Sequence, residues 1–460
     1  MTIHAKSAKP STVAVIGNGM VGHRFCEKLV EFDARRRYRI VTFCEEPRAA
    51  YDRVGLTSFF AHRDAERLML ARLDWYREQE IELFIGDRAT KIDRRARFVQ
   101  SERGAKIGYD IVVLATGSYP FVPPVPGINN LGVFVYRTIE DLERICAYAQ
   151  RVKRCAVIGG GLLGLEAAKA AFDLGLETHV IECATRLMPR QVDDAGSKIL
   201  VAKIESLGVR VHLNKGIKQV LGEGHVEGLA FADGETLPVE MIIVSAGIRP
   251  RDDLARECGL ATGERGGVVV DDKLQTSDAA VFAIGEVALH GGMIYGLVAP
   301  GYEMAEVVAA NLVGENRRFC GADLSTKLKL MGVDVASFGD YEAKAGPAVP
   351  LVSEDPFRGL YKKLLFNPDG TRLLGGIMVG NASDYGTLLA QCRSSEPLPC
   401  PAGELMMLTG QTASAGAGVA GLPDSAQVCS CNNVCKSQIR QAISERGLTT
   451  LAEVKAATKA

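Results

Sequence analysis

The sequence predicts an α/β protein with two domains of parallel β–α–β units, followed by a small α+β domain and a short helical tail. Two glycine-rich segments, residues 13–22 and 154–168, each connect a short apolar strand to a helix. Each is followed by a second strand that ends in a glutamate. After residue 326 the pattern changes to short strands separated by turns. These three observations predict the fold class.

The first glycine-rich segment predicts a nucleotide-binding turn. A β-branched apolar run at 13–16 ends in Gly17, Gly19 and Gly22, and helix-forming residues follow. In this spacing the first glycine permits a tight turn, the second lets backbone N–H groups approach a pyrophosphate, and the third lets the helix pack against the strand. Glu45 ends the next strand, 23 residues after Gly22, where a carboxylate can accept both ribose hydroxyls of a dinucleotide. A packing turn is the alternative for an isolated motif, but the flanking strand, helix and acid favour binding.

A second copy of this strand, glycine turn and helix indicates an internal repeat at the scale of a domain. Gly159, Gly161 and Gly164 hold the three glycine positions, and Glu182 ends the next strand, 18 residues after Gly164. This carboxylate would repel a 2′-phosphate, which favours NADH over NADPH, although the nearby Arg186 could partly offset the repulsion. Two such segments suggest a tightly held flavin and an exchangeable nicotinamide, because a hydride passes naturally between these two cofactors. A tandem duplication with one occupied site is the alternative.

The composition restricts the partners and the compartment. The 460 residues include 54 Lys and Arg and 55 Asp and Glu, for a formal net charge of −1, without long basic runs. We therefore predict no nucleic-acid partner and no membrane partner. The first residues lack the apolar core of a signal peptide, and no apolar run approaches the roughly 20 residues of a membrane helix, so a cytoplasmic protein is expected. Nine of the twelve cysteines are scattered singly and are predicted to be buried, reduced thiols, at positions 26, 44, 146, 155, 183, 258, 320, 392 and 400.

Two further strand ends carry small and acidic residues. Ala115, Thr116 and Gly117 end a buried strand before a proline-rich crossover. A later apolar strand ends in Gly285 and Glu286, where the chain is expected to return to the first domain. An acid at such a strand end can hydrogen-bond the ribityl chain of a flavin.

The remaining patterns set the predicted boundaries. A mostly polar helix is expected at 63–79. The stretch 401–427 is rich in Gly, Ala, Ser and Thr and predicts a linker. The predicted domains are 1–122 and 245–320 for the first dinucleotide, 123–244 for the second, 321–400 for the small α+β domain, 401–427 for the linker and 428–460 for the tail.

Taken together, these motifs resemble a known superfamily. The two glycine segments, the Ala-Thr-Gly strand end and Gly285-Glu286 resemble the glutathione-reductase superfamily of flavoprotein reductases, which implies two Rossmann-like domains, with a discontinuous FAD domain. Other segments are similar to the N-terminal half of NADH-dependent assimilatory nitrite reductase large subunits and to electron-transfer subunits of assimilatory nitrate reductases. These segments are residues 44–53, 159–168, 283–286 and 295–301. The superfamily usually has Asp at the position of Glu286, and the nitrite reductase branch accommodates Glu.

The resemblance implies a role for individual residues. It implies FAD on Gly17, Gly19, Met20, Gly22, Glu45, Arg53, Ala115, Thr116, Gly117, Gly285 and Glu286. It implies NADH on Gly159, Gly161, Leu162, Leu163, Gly164, Glu182 and Gly247. Glu166 would lie near the nicotinamide, and Arg53 would either stabilise negative charge on reduced flavin or anchor a phosphate. These two are the candidate catalytic residues, and hydride transfer itself needs positioning rather than an acid or base.

A cysteine pattern typical of the superfamily is missing. Its disulfide reductases carry a Cys-x4-Cys pair after the first glycine unit, and its NADH oxidases and peroxidases carry one reactive Cys in the loop that here spans 51–57. This sequence has no Cys from 45 to 145. A thiol relay is therefore not expected, and electrons should leave the flavin singly toward a metal centre or a redox partner protein.

The tail resembles the start of a bacterioferritin-associated-ferredoxin-like domain, which binds [2Fe–2S] with Cys-x-Cys and a later Cys-x-x-Cys. Cys429 and Cys431 match the first pair, whereas Cys435 lies at the wrong spacing. A cluster needs four ligands, and the sequence reaches Ala460 where the second pair is expected. We therefore expect an incomplete metal site here, completed by a longer polypeptide, with unliganded thiols as the alternative. Sirohaem and a [4Fe–4S] cluster are expected only on missing C-terminal domains or a partner.

The function expected from this resemblance is an NADH-dependent FAD oxidoreductase module that passes electrons toward an iron–sulfur and sirohaem centre for nitrite reduction. One alternative is the electron-transfer subunit of an assimilatory nitrate reductase. A second is a stand-alone NADH:rubredoxin or ferredoxin reductase, against which the tail argues. A third is a flavoprotein whose redox state controls a partner. A homodimer is compatible with the sequence, which does not decide the oligomeric state.

Overall fold

A computed structural model describes residues 9–394, 396–407, 424, 427–429 and 434–458. The chain forms two compact units. The first unit comprises Met1–Tyr119 and Ile248–Ala322, and the second unit comprises Pro120–Gly247 and Asp323–Ala460. Among the helices of the described residues, none combines the length and apolarity that a membrane crossing requires.

The first unit begins with the predicted strand, turn and helix. Its first strand is β-branched, and the last five residues of that strand are buried. The elements up to residue 120 are β1 (Ser11–Ile16), α1 (Met20–Phe32), β2 (Tyr38–Cys44), α2 (Phe59–His62), α3 (Leu73–Glu78), β3 (Glu82–Ile85), β4 (Ala89–Asp93), β5 (Phe98–Ser101), β6 (Lys106–Gly108), β7 (Ile111–Leu114) and β8 (Ser118–Pro120). Strands β4 to β6 form a separate antiparallel sheet.

The second unit repeats the device around a parallel sheet of its own. The elements of this part are β9 (Val133–Val135), α4 (Ile139–Ala149), β10 (Arg154–Ile158), α5 (Leu162–Asp173), β11 (Glu177–Ile181), α6 (Asp194–Ser206), β12 (Arg210–His212), β13 (Ile217–Leu221), β14 (Gly228–Phe231), β15 (Thr236–Leu237) and β16 (Met241–Val244). The sheet order is β12-β11-β10-β16-β9. Strand β16 is buried throughout, as expected for a parallel sheet covered on both faces.

The chain then returns to the first unit. The next elements are β17 (Ile248–Pro250), α7 (Asp253–Glu257), β18 (Val268–Val270), β19 (Val281–Ala283), β20 (Ala288–His290) and α8 (Val298–Leu312). Strand β19 pairs in parallel with β7, which gives the first sheet the order β19-β7-β1-β2-β3. The two parallel sheets and this discontinuity confirm the predicted fold class.

The remaining elements form the small α+β part and the tail. They are β21 (Thr326–Leu330), β22 (Val333–Gly339), β23 (Val349–Asp355), β24 (Leu360–Phe366), β25 (Leu373–Gly380), α9 (Tyr385–Arg393), α10 (Ala402–Met406), β26 (Gln427–Cys429), β27 (Val434–Cys435), α11 (Lys436–Arg446) and α12 (Leu451–Thr458). Strands β21 to β25 make an antiparallel sheet in the order β21-β22-β25-β24-β23.

The helix predicted at 63–79 is wrong in its extent. Arg63 adopts a left-handed conformation (φ 53°) and ends α2, and Met69 is extended and bridges to Tyr51. A regular helix begins only at Leu73. Pairing with a distant residue overrides the local helical pattern here, because a bridge and a helix need different backbone dihedrals.

Two other expectations need correction. The predicted linker starts with α10, whose Leu405 is buried in the core of the small α+β part, while 408–423 lie outside the described residues. The prediction that the scattered cysteines are buried is correct for four of the nine, Cys26, Cys44, Cys146 and Cys155. Cys183 and Cys320 are exposed, and the other three, Cys258, Cys392 and Cys400, are half-buried.

Candidate dinucleotide-binding sites

The first glycine turn has no room for side chains at two of its three glycines. Gly17 has a φ of +110°, and a Cβ there would lie 2.3 Å from the carbonyl oxygen of Ala115. A Cβ on Gly22 would lie 2.0 Å from the carbonyl oxygen of Gly17. The turn therefore packs directly against the strand end at Ala115 and against the first turn of α1.

The middle glycine of this turn faces open space. Gly19 precedes α1 in an extended conformation, and a Cβ there would meet no atom within 4 Å. No side chain caps this helix and no acid occupies its first turn. Its first N–H groups and the positive end of its dipole therefore suit an anion. Met20 is buried beside the turn, and its sulfur accepts the backbone N–H of Arg53 at 3.4 Å.

The second unit reproduces this geometry. Gly159 has a φ of +114°, and its Cβ would lie 2.2 Å from the carbonyl oxygen of Ser245. A Cβ on Gly164 would lie 1.9 Å from the carbonyl oxygen of Gly159, whereas Gly161 again meets nothing within 4 Å. Helix α5 also lacks a side-chain cap and an acid in its first turn. The two glycine turns thus have equivalent geometry.

The helix that follows the second turn carries three further predicted residues. Leu162 and Leu163 open α5 and are half-buried, and Glu166 lies one turn later, also half-buried. Gly247, also predicted to bind NADH, has a φ of +107° and open space at its Cβ, and its carbonyl oxygen accepts the N–H of Phe121 at 2.8 Å.

The two acids predicted to bind ribose differ in their surroundings. Glu45 pairs with Arg251, and its side chain is 44% exposed. Glu182 is only 8% exposed, and its carboxylate accepts the N–H groups of Gly160 at 2.7 Å and Ala184 at 2.8 Å. Glu182 therefore braces the second glycine turn, whereas Glu45 lies at the surface of the first unit.

Arg186, which could have offset repulsion of a 2′-phosphate, is engaged elsewhere. Its Nη1 lies 2.9 Å from Asp194, and its Nη2 donates to the carbonyl oxygen of Pro189 at 3.4 Å. This arrangement favours the predicted preference for NADH.

Arg251 organises the strand end predicted for FAD, although no local pattern marked it. The Thr116 hydroxyl donates to its carbonyl oxygen at 2.7 Å, and its N–H donates to the carbonyl oxygen of Gly117 at 2.9 Å. The next residue, Ser118, donates to the Glu286 carboxylate at 2.6 Å. The structure thus brings the predicted Thr116, Gly117 and Glu286 into one connected region of the first unit.

Gly285 and helix α8 pack against α1. Gly285 has a φ of +77°, and a Cβ on Gly301 of α8 would lie 2.6 Å from Val21 of α1. A side chain at Gly301 would therefore displace Val21, and the positive φ of Gly285 favours glycine there.

Arg53 provides a fixed positive charge in the first unit. Its guanidinium pairs with Glu46 and lies 5.1 Å from the centre of the Tyr51 ring, and the Tyr51 hydroxyl donates to Glu46 at 2.6 Å. Burial works against the charge, but the adjacent carboxylate raises the pKa of Arg53 above its usual value.

Known proteins resemble this chain in sequence and fold. The sequence profile described as pyridine nucleotide-disulphide oxidoreductase matches residues 11–310, well over half of the chain. This chain belongs to that family. Membership of the pyridine nucleotide-disulphide oxidoreductases confirms the expected pair of dinucleotide cofactors, FAD and NADH. Two further profiles match, the rubredoxin NAD+ reductase C-terminal domain at 325–395 and a BFD-like [2Fe-2S] binding domain at 427–460.

Individual members of the family are similar over nearly the whole chain. The nitrite reductase [NAD(P)H] large subunit of Klebsiella oxytoca is 50% identical over 98% of this chain and 47% of that protein. The assimilatory nitrate reductase electron transfer subunit of Bacillus subtilis is 33% identical over 98% of this chain and 58% of that protein. A crystal structure of a ferredoxin reductase from Rhodopseudomonas palustris superposes with a TM-score of 0.74 at 28% identity, covering 82% of this chain and 92% of that one. The predicted resemblance is confirmed, and the chain spans about half the length of the curated relatives it matches.

The predicted metal ligands lie at the edge of what the structure describes. Cys429 ends β26, and Cys431 lies outside the described residues. Cys435 ends β27 and is the N-cap residue of α11, and its sulfur lies 3.0 Å from the Ser437 hydroxyl. Burial would raise the pKa of Cys435, but this hydroxyl and the helix N–H groups lower it overall. Within the described ranges no three potential ligands gather around one point.

Proposed function

We propose that this pyridine nucleotide-disulphide oxidoreductase is an NADH-dependent flavoprotein module that supplies electrons for nitrite reduction in nitrogen assimilation. The observation that carries the proposal is the pair of matched cradles. Each unit has an uncapped helix N-terminus behind a glycine, Gly19 or Gly161, whose Cβ position is open. Two diphosphates can therefore be held at once, one in each unit.

The first unit is proposed to hold FAD. The N–H groups at the start of α1 would orient its diphosphate, and Glu45 would accept its ribose hydroxyls. Glu286, which accepts a hydrogen bond from the Ser118 hydroxyl, would bind the ribityl chain. Arg53 would supply a positive charge, which its ion pair with Glu46 holds in place.

The second unit is proposed to hold NADH. The start of α5 would orient the diphosphate, while Glu182 repels a 2′-phosphate and Arg186 stays with Asp194. The two cofactors, when bound, would supply hydride transfer and then single-electron donation. The chain contributes positioning, since the described residues need not donate or accept a proton in that step.

The acceptor is proposed to be an iron–sulfur centre. The chain has no Cys from 45 to 145 to act as a thiol relay, and the BFD-like match supports Cys429 and Cys431 as two of four cluster ligands. Sirohaem and [4Fe–4S] would belong to further domains or a redox partner protein, because the chain spans about half of its nitrite reductase relatives. A cytoplasmic location is proposed on the sequence argument given above.

Two alternatives have an observation in their favour. The Bacillus subtilis relative favours an electron-transfer subunit of assimilatory nitrate reductase. The match at 325–395 favours a rubredoxin or ferredoxin reductase, although the BFD-like match at 427–460 argues against a stand-alone enzyme of that kind.

The proposal is tested on the purified protein. We expect a yellow flavin spectrum that NADH bleaches under anaerobic conditions, faster than NADPH does. Stopped-flow mixing with ferricyanide should show rapid turnover, and the chain alone should not consume nitrite. Protein without flavin, or flavin that NADH fails to reduce, would contradict the proposal. Bound FAD without turnover would support a redox-controlled binding protein instead.

A further inference from the structure

Three buried side chains lie beneath the first glycine turn. Asn18, between Gly17 and Gly19, is 6% exposed, and its Oδ1 lies 3.1 Å from the hydroxyl of Tyr76. That hydroxyl lies 2.9 Å from Nδ1 of His23, on the first turn of α1. Both Tyr76 and His23 are 2% exposed. We call Asn18, Tyr76 and His23 the buried brace.

The side chains of the buried brace form one chain of hydrogen bonds, whichever way the protons are arranged. Burial raises the pKa of Tyr76 far above its usual range, so its hydroxyl keeps the one proton it can donate. In one arrangement Tyr76 donates this proton to Asn18 Oδ1, and His23 must then donate from Nδ1 to the Tyr76 oxygen. Asn18 Nδ2 then has no partner among the described residues. If the amide is turned over, Nδ2 donates to Tyr76, Tyr76 donates to His23, and the His23 Nε2–H faces Glu27 at 3.4 Å. In both arrangements the amide inside the glycine turn is tied to α3 and α1.

The second glycine turn is held differently. Gly160 occupies the position of Asn18, and a Cβ there would lie 2.5 Å from the Leu187 side chain, which would have to shift to admit a side chain. That turn is held by Glu182, which accepts the Gly160 N–H at 2.7 Å. The corresponding acid of the first unit, Glu45, pairs with Arg251 instead. The first turn therefore needs another support, and the buried brace is in the right place to provide it.

We propose that the buried brace positions the first glycine turn to bind the dinucleotide diphosphate, in the part that Glu182 plays in the second turn. This inference rests on the proposed function, which places FAD on the first turn. Asn18, Tyr76 and His23 are positioning residues. They fix the turn from below, so that its backbone N–H groups keep their direction when the site is empty and no reordering is needed on binding.

The test is the substitution Tyr76→Phe, which removes one oxygen and keeps the ring. Reconstitution of the apoprotein with FAD should show a dissociation constant raised about tenfold, because a buried hydrogen bond to the turn is lost. The KM for NADH at saturating FAD should stay within about twofold of wild type, since the second unit is untouched. Tyr109→Phe is the matched control. Tyr109 is 5% exposed in the same core, and its removal should leave FAD binding unchanged.

Further variants separate positioning from folding. The double variant Asn18→Leu with Tyr76→Phe should lose less affinity than the sum of the two single losses, because the pair acts as one unit. His23→Leu should reproduce the loss, and His23→Gln, which keeps a hydrogen-bonding group, should restore part of it. Trp75, the single tryptophan of the chain, lies 4.8 Å from the His23 ring, so its fluorescence reports whether this region is folded in each apoprotein.

The outcomes are distinct. Wild-type affinity for FAD in Tyr76→Phe would overturn the inference, and so would equal losses in Tyr76→Phe and Tyr109→Phe. If Tyr76→Phe gives the Trp75 emission spectrum of unfolded protein while both His23 variants give native spectra, the two His23 variants decide the test. Equal FAD affinities in His23→Leu and His23→Gln would then overturn the inference. Wild-type apoprotein that takes up no FAD would overturn the proposed function itself.

Discussion

Adding a single methyl group at the middle glycine of each turn should separate the two proposed binding sites. In Gly161→Ala the new Cβ meets no protein atom within 4 Å, and the backbone keeps a negative φ of −82°, which alanine adopts freely. The same holds for Gly19→Ala, at a φ of −78°. Both positions precede a helix, where alanine is a poorer cap than glycine, so each substitution should cost at most about 1 kcal/mol of unfolding free energy.

The effect on ligands should be much larger. The methyl group would stand where the backbone must approach a phosphate, and the loss of one hydrogen bond to a charged oxygen is worth about 1.5–3 kcal/mol. That corresponds to a roughly 10- to 150-fold weaker interaction. Gly161→Ala should therefore raise the KM for NADH by at least about tenfold and leave the FAD content unchanged, whereas Gly19→Ala should lower FAD affinity and spare NADH.

The assays are flavin content by absorbance, FAD titration of the apoprotein, and initial rates of ferricyanide reduction against NADH at saturating FAD. A thermal melt of each apoprotein controls for folding. A KM for NADH within twofold of wild type in Gly161→Ala would refute the argument, because the open space at that glycine would then not be where the dinucleotide binds. Loss of both ligands in either variant would refute the assignment of one cofactor to each unit.

Three further perturbations follow from the structure. Gly164→Ala forces a Cβ to within 1.9 Å of a carbonyl oxygen, so we expect a loss of about 1–3 kcal/mol in urea unfolding, and an unchanged midpoint would contradict this. Nδ1 of His179 lies 3.0 Å from Nε2 of His212, and burial, followed by neighbouring charge, lowers the pKa of both side chains below the unfolded value of about 6.5. The two neutral rings therefore contribute to stability above about pH 6.5, and this contribution is lost as the pH falls below that value. The urea midpoint should drop between about pH 7.5 and 5.5, and His179→Phe should weaken this pH dependence. Asp193 caps α6 and accepts a hydrogen bond from the Tyr361 hydroxyl at 2.7 Å. Asp193→Ala should therefore lower the free energy of unfolding by about 1–2 kcal/mol, and Tyr361→Phe should lower it by less, because only the alanine variant also loses the helix cap. Equal melting points of the two variants would contradict this.

The glycine turns could be predicted from sequence because their requirement is local. A strand that turns directly into a helix brings the backbone so close to itself that residues such as Gly17 and Gly159 admit no Cβ. The spacing of the glycines therefore records the geometry of the turn. The β-branched runs before them likewise record strands that are buried on both faces. The family resemblance followed from the same residues.

The contacts that set these turns apart depend on residues distant in sequence. Arg251 reaches Glu45 only because the chain returns to the first unit, and no pattern near either residue marks the pair. The helix expected at 63–79 was misplaced because Met69 bridges to Tyr51, an interaction that local periodicity cannot reveal.

The sequence alone determined the two glycine turns at which we propose that dinucleotides bind, since steric exclusion at a turn acts within a few residues. Only the tertiary structure decided how each turn is supported. One is braced by an acid and the other by a buried amide, phenol and imidazole, because hydrogen bonds form between whichever groups the packing of separate helices and strands brings within about 3 Å.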